Sequence, residues 1–174
     1  MLATQARLAG RVAQRGEGLG LLANPGDFVL IERGRPRAML MMCPDGCGEV
    51  LTMNLDPRTG KAWRAYLGDD GFTLYPSVWR TTGCLSHFYV WRDRIYWSRR
   101  YDASADPSQL DAHAKDVIAA IRTGAAATVV TIADHLSLSP WLVAFTCSRL
   151  VDAGILREMD HTEEDSSYRL ADGA

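Results

Sequence analysis

A chain of 174 residues is long enough for one medium domain or two small ones, and 47% apolar with 23% charged residues is a packed, globular composition rather than a disordered one. The formal net charge of −2 divides unevenly: residues 1–107 carry fourteen Lys/Arg against eleven Asp/Glu, and residues 108–174 carry five against ten. No apolar run approaches the roughly 20 residues that span a bilayer, and the opening MLATQARLAGRVAQR lacks the apolar block of a secretory signal, so the expected location is the cytoplasm.

Residues 1–24 read as a helical or flexible arm, in which Arg7, Arg11 and Arg15 recur every four residues and would share one solvated helix face. From Asp27 to Trp97 short β segments alternate with Gly, Pro, Asn and Asp. They are Phe28 to Glu32, Arg37 to Met42, Val50 to Leu55, Ala62 to Leu67, Phe72 to Leu74, and a hairpin from Phe88 to Trp97 that turns at Arg92-Asp93. Tyr101 to Ser108, YDASADPS, has the composition of a linker. The expected class is α+β, with a small zinc-containing antiparallel β domain over residues 25–104 and a helical domain over 105–174.

In the second domain, Leu110, Val117, Ile118 and Ile121 mark one face of a helix from Gln109 to Arg122. A short helix opening at Thr131 follows, then a turn at LSLSP, a second helix from Trp141 to Val151, and two strands, Ile155 to Met159 and Tyr168 to Leu170. This order resembles winged-helix domains. A DNA-reading helix presents cations and amides in a positive field, whereas this one offers Arg149 opposed by Asp152, with Glu163, Glu164 and Asp165 in the loop between the strands. Protein docking or structural support is the expected role, and nucleic-acid binding is not. Cys147, mid-helix among apolar neighbours, reads as a buried thiol.

The other three cysteines fall in two loops, Cys43-Pro44-Asp45-Gly46-Cys47-Gly48 and Cys84-Leu85-Ser86-His87. Pairs separated by two to four residues across a tight turn supply two corners of a zinc tetrahedron at once, and a second pair closes the shell. Cys43, Cys47, Cys84 and His87 are therefore the expected zinc ligands, in a closed Cys3His set that staples the fold. Gly46 and Gly48 let the first loop fold back.

The run CPDGCGEVLTMNLDP, followed by TLYPSVWRTTGCLSHFYVWRDRIYW, resembles the bacterial family catalogued as domain of unknown function 6527 over roughly residues 25–100. Many of its members have another cysteine where Asp45 stands. The resemblance implies operons that also encode a ubiquitin-like protein with its activating and conjugating enzymes, and so implies those proteins as partners. It suggests a peptidase that trims or removes the modifier, or a non-catalytic adaptor that binds it. For a peptidase, Ser86 beside His87 is one candidate nucleophile, although adjacent residues on a strand point to opposite faces. The other candidate mechanism leaves one zinc position to water, with Glu49 as general base. A further reading takes the interleaved Trp79-Arg80, Trp91-Arg92, Arg94, Trp97, Arg99, Arg100 and Tyr101 as a platform for single-stranded nucleic acid; in a hairpin the same alternation puts the rings in the core.

Overall fold

The computed structural model describes residues 2–97, 107–124, 127–161 and 165–172, and the chain divides into two compact units, residues 1–101 and 102–174. The linker residues before Pro107, the basic Arg99 and Arg100, and the acidic Glu163 and Glu164 lie outside the described residues.

The first unit is two four-stranded sheets with a core between them. One sheet has the order β1 (Arg7–Val12), β2 (Asp27–Glu32), β3 (Pro36–Met42), β4 (Val50–Asn54). The other has the order β5 (Arg64–Gly68), β6 (Gly71–Trp79), β7 (His87–Trp91), β8 (Arg94–Trp97). Strand β2 shows why its sequence, DFVLIE, is apolar without a break: both of its faces are covered. Phe28 and Leu30 point into the core between the sheets, with Met39, Met41 and Met53 from one side and Phe72, Leu74, Phe88 and Val90 from the other. Val29 and Ile31 point the opposite way and pack with Leu22 and Leu40. There the short helix α1 (Arg15–Leu19) approaches so closely that a Cβ on Gly18 would stand 3.1 Å from Val29 Cγ1. The rings of Phe28 and Phe72 stack at 4.1 Å and join the two sheets.

The expected N-terminal helix is corrected by the structure: residues 7–12 are a strand, paired parallel to β2, in an otherwise antiparallel arrangement. A spacing of four fits the two-residue period of a strand as well as one helix face, and the strand that forms carries a bulge between Leu8 and Gly10 that sets Arg7 opposite Asp27 and Arg11 opposite Leu30. Backbone pairing with β2 decides between the two periods, and Arg7 and Arg11 add exposed ion pairs to Asp27 and Glu32 on that strand.

Beyond β4, Asp56 organises the crossing to the second sheet. Its carboxylate is 3% exposed, caps the turn Pro57–Thr59 by accepting from Arg58 N, and pairs with the guanidinium groups of Arg37 and Arg58. Its own amide donates to Asn54 Oδ1 at 3.0 Å, and the loop closes where Trp63 N donates to the Asn54 carbonyl. The β7–β8 hairpin turns at Arg92 and Asp93 with φ of 51° and 62°, the two left-handed residues of a tight two-residue turn. Asp93 accepts Phe72 N at 2.8 Å, which steadies a turn that lacks glycine.

The second unit orders α2 (Pro107–Arg122), α3 (Val129–Leu136), α4 (Pro140–Asp152), β9 (Leu156–His161) and β10 (Ser166–Leu170), the strands paired antiparallel. Helix α3 starts two residues earlier than expected because Thr128 is its cap and Thr131 its reciprocal partner, so the threonine read as the opening residue is already in the first turn. Its core is Val117, Ile132, Val143, Cys147 and Leu156 among others, and burial pushes the Cys147 thiol up to about 12. Among the described residues no single helix is long and apolar enough to cross a membrane.

Replacing Asp56 with alanine would leave Arg37 half-buried without its counter-charge. Because both arginines are partly exposed, the expected loss is about 2–3 kcal/mol, less than for a fully buried pair. Urea denaturation followed by tryptophan fluorescence measures it, and a loss below about 0.5 kcal/mol would show that the loop does not depend on this carboxylate.

Candidate functional site

Two hairpin tips, one from each sheet, form the site. In the first, Met42 of β3 pairs with Val50 of β4, and Cys43 to Glu49 is the loop between them. Cys43 N donates to the Glu49 carbonyl at 2.8 Å, Gly46 N donates to the Cys43 carbonyl at 3.1 Å, and Gly46 and Gly48 have φ of 88° and 82°. That left-handed backbone is why the loop needs glycine there. In the second, Trp79 of β6 faces His87 of β7, Arg80 N donates to the Ser86 carbonyl at 2.9 Å, and residues 81–85 make the turn.

These loops bring Cys43, Cys47 and Cys84 together, with all three sulfurs within 4.8 Å of one another, so that the group could hold a metal ion. Cys43 and Cys84 are 3.7 Å apart, and all three thiols are free. Burial pushes the Cys43 thiol up to about 11. Burial alone would also raise Cys84, but hydrogen bonds from Ser86 and the neighbouring thiols outweigh it and hold Cys84 down at about 7. The remaining contact is a residue the sequence did not single out for this role. Arg80 Nη1 lies 2.9 Å from Cys84 Sγ, 3.4 Å from Cys47 Sγ and 3.9 Å from Cys43 Sγ, and Nη2 pairs with the Glu49 carboxylate. Glu49 is therefore engaged by a cation at the edge of the sulfur group.

Ser86 and His87 part company. Ser86 is 6% exposed, with Oγ 3.3 Å from Cys84 Sγ and 3.8 Å from Cys43 Sγ. His87 is not in the sulfur group: its Nε2 lies 3.0 Å from the hydroxyl of Ser77, and its ring stacks on Trp79 with centroids 5.6 Å apart. Neighbours on an extended chain point to opposite sides, so a chain that turns Ser86 toward the sulfurs must turn His87 away. The expected fourth ligand is thus placed with a serine, and the expected nucleophile is placed with thiols.

Ser77 escaped the sequence reading because β6 was expected to end at Leu74, before Pro76. In the ladder, Leu74 pairs with Val90 and Val78 with Phe88, so β6 advances four residues while β7 advances two. Tyr75, Pro76 and Ser77 occupy this bulge, and Trp63 Nε1 donates to the Ser77 carbonyl at 3.3 Å. A bulge re-aims side chains and often sits beside an active site. Proline inside a strand-like run marks such a place, and that was the available signal. Burial lowers the His87 pKa, which favours the neutral imidazole.

Two rings of the nucleic-acid platform are spent within the fold, since Trp91 is 4% exposed beneath Arg92 and Trp97 Nε1 donates to the Ala3 carbonyl, whereas Trp79 stays exposed and Tyr101 lies outside the described residues.

Residues 18–98 match the family described as "Bacterial ubiquitination-like system serine protease (BubE)". The match supports a bacterial ubiquitin-like operon context, agreeing in that respect with the resemblance to domain of unknown function 6527 under a different family name, and it stops short of the helical unit. No curated protein and no solved structure matches the chain.

The thiols differ enough to be ranked by alkylation. Near neutral pH, in the presence of chelator, iodoacetamide should modify exposed Cys47 and low-pKa Cys84 first, with Cys43 and Cys147 lagging at least about tenfold. Peptide mass spectrometry reads the order, and equal rates at Cys43 and Cys47 would contradict the arrangement.

Proposed function

We propose that residues 1–101 form a serine peptidase acting in a bacterial ubiquitination-like system, with Ser77 as nucleophile and His87 as its base. The observation that carries this is the 3.0 Å contact between His87 Nε2 and Ser77 Oγ in the β6 bulge, within the segment that matches a family described as a serine protease. With its proton on Nδ1, His87 accepts the hydroxyl proton at Nε2 as Ser77 Oγ attacks a peptide carbonyl. The same proton then passes to the leaving amine, and water, activated in the same way, releases the acyl group from Ser77. The stack on Trp79 fixes the plane of the imidazole. The modifier, or a protein conjugated to it, is the substrate on this reading, and its activating and conjugating enzymes are functional neighbours.

The three cysteines hold zinc. With Zn–S bonds of about 2.3 Å, two sulfurs on a tetrahedron stand about 3.8 Å apart, and Cys43 and Cys84 stand 3.7 Å apart. Zinc supplies a rigid clamp between the two hairpin tips, and Arg80 donates to the thiolates from outside the shell and offsets their charge. The helical unit, whose order of elements resembles a winged helix, serves protein docking. The acidic balance of its sequence is what supports that over DNA.

Ser77→Ala and His87→Gln should each lower cleavage of a modifier extended at its C-terminus by at least about a hundredfold. Ser86→Ala and Glu49→Gln should keep activity within about tenfold. Activity surviving in Ser77→Ala while Glu49→Gln abolishes it would replace the serine mechanism with the metal-water one. For pH, a base whose folded pKa is lowered stays neutral, and so competent, down to more acidic solution. The acid limb of kcat/KM should accordingly have its midpoint below the 6.5 of an ordinary imidazole, and a midpoint above it would contradict this role for His87. Metal analysis of purified protein should give about one zinc per chain, lost in Cys84→Ser.

A further inference from the structure

Trp79 and Leu85 expose 65% and 64% of their surface, more than any other large apolar side chain among the described residues. Single exposed apolar groups are common on any protein and by themselves mean nothing. What distinguishes these two is position. Trp79 lies two residues after Ser77, and Leu85 lies two residues before His87, so the pair brackets both members of the proposed dyad. Trp79 also faces His87 directly across the β6–β7 ladder, with one side of its indole against the imidazole. Leu85 combines exposure with a φ of 53°, a left-handed backbone that a branched aliphatic residue seldom adopts. The turn bonds of Cys84 and Ser86 hold this backbone, and they hold the leucine side chain out in solvent rather than against the core. The charge beside them is already used: Arg80 is committed to Glu49 and the sulfurs.

We propose that Trp79 and Leu85 are the walls of a substrate subsite that takes an apolar side chain next to the scissile bond. This rests on the serine peptidase reading of Ser77 and His87. An extended peptide presented to Ser77 Oγ passes over residues flanking the β6–β7 ladder, and an aliphatic or aromatic side chain beside the reacting carbonyl covers the indole and the leucine together. Removing that surface from water supplies binding; a charged side chain at the same place would be desolvated with no partner. The substrate class is therefore a flexible peptide segment bearing Leu, Met or Phe at the cleavage site.

The test uses the full chain and a set of fluorogenic octapeptides, identical except that the residues on either side of the scissile bond carry Leu, Phe, Ser or Asp. The wild type should prefer Leu or Phe over Asp by about tenfold or more in kcat/KM, the range apolar pockets achieve. In Trp79→Ala that ratio should fall toward one as KM for the Leu and Phe peptides rises, on top of a drop in kcat common to all the peptides from loss of the stack on His87, with Trp79→Phe restoring most of the ratio and Leu85→Ser giving a smaller loss in it. Binding of the Leu peptide to Ser77→Ala, followed by anisotropy, reads the subsite without turnover and should weaken several-fold when Trp79→Ala is added. A Ser77→Ala protein that still cleaves the peptides overturns the peptidase reading and this subsite with it. If Ser77→Ala is inactive but Trp79→Ala keeps the wild-type preference and affinity, the peptidase reading stands and the subsite is overturned.

Discussion

Strand β6 spends four residues where β7 spends two, and the surplus in this ladder decides where Ser77 stands relative to His87. In an unbroken antiparallel pair the side chains of β6 would alternate strictly between the core and the outer face. A surplus of two keeps the parity, so Leu74 and Val78 both remain in the core, while Tyr75, Pro76 and Ser77 leave the pairing and Ser77 stands half-buried against His87 Nε2. The bulge is held at its back. Asp56 caps the loop after β4, the loop closes at Trp63, and the Trp63 indole donates to the Ser77 carbonyl. The loop organised by Asp56 thus presents the Trp63 indole that holds the backbone of Ser77.

The sulfur group depends on the same strand pair in the opposite sense. Past Trp79 and His87 the ladder carries one further bond, from Arg80 N to the Ser86 carbonyl, before the turn begins. That bond fixes the faces of both residues: the Arg80 guanidinium and the Ser86 hydroxyl fall on the side of the thiols, and Trp79 and His87 on the other. One short stretch of ladder therefore serves two centres back to back. Arg80 supplies the cation that three closely set sulfurs require as any of them ionises, and the lowered Cys84 thiol ionises before the raised Cys43. A metal bound to these sulfurs would clamp the turn that delivers His87 to Ser77.

Much of this was legible in the sequence and some of it was not, for physical reasons. The unbroken apolar run at Phe28 to Ile31, the Arg92-Asp93 turn and the paired cysteine loops each carry a local signature, because the pattern that forms them lies within a few neighbouring residues. Two features do not. The spacing of Arg7 and Arg11 fits a helix and a strand equally, and pairing with β2, some twenty residues away, decides it. Ser77 was hidden for a similar reason: a serine becomes a candidate nucleophile through the base beside it, and its base lies on another strand. The GCLSHF element drew attention to Ser86 because that serine is adjacent to a histidine in sequence, and on an extended chain adjacency in sequence is separation in space.

The imidazole at position 87 also limits what the two centres can share. A histidine that takes a proton from a serine at Nε2 must carry its own proton on Nδ1, since the neutral ring has one donor and one acceptor. A metal bound at Nδ1 would force the remaining proton onto Nε2, turning the atom that faces Ser77 into a donor and ending its use as a base. A metal bound at Nε2 would displace the serine outright. His87 can thus complete a Cys3His shell or activate a hydroxyl, and the 3.0 Å contact with Ser77 is the arrangement that serves the second. A metal held at this place would then rest on the three sulfurs without the imidazole, and any fourth ligand would come from outside the Ser–His pair.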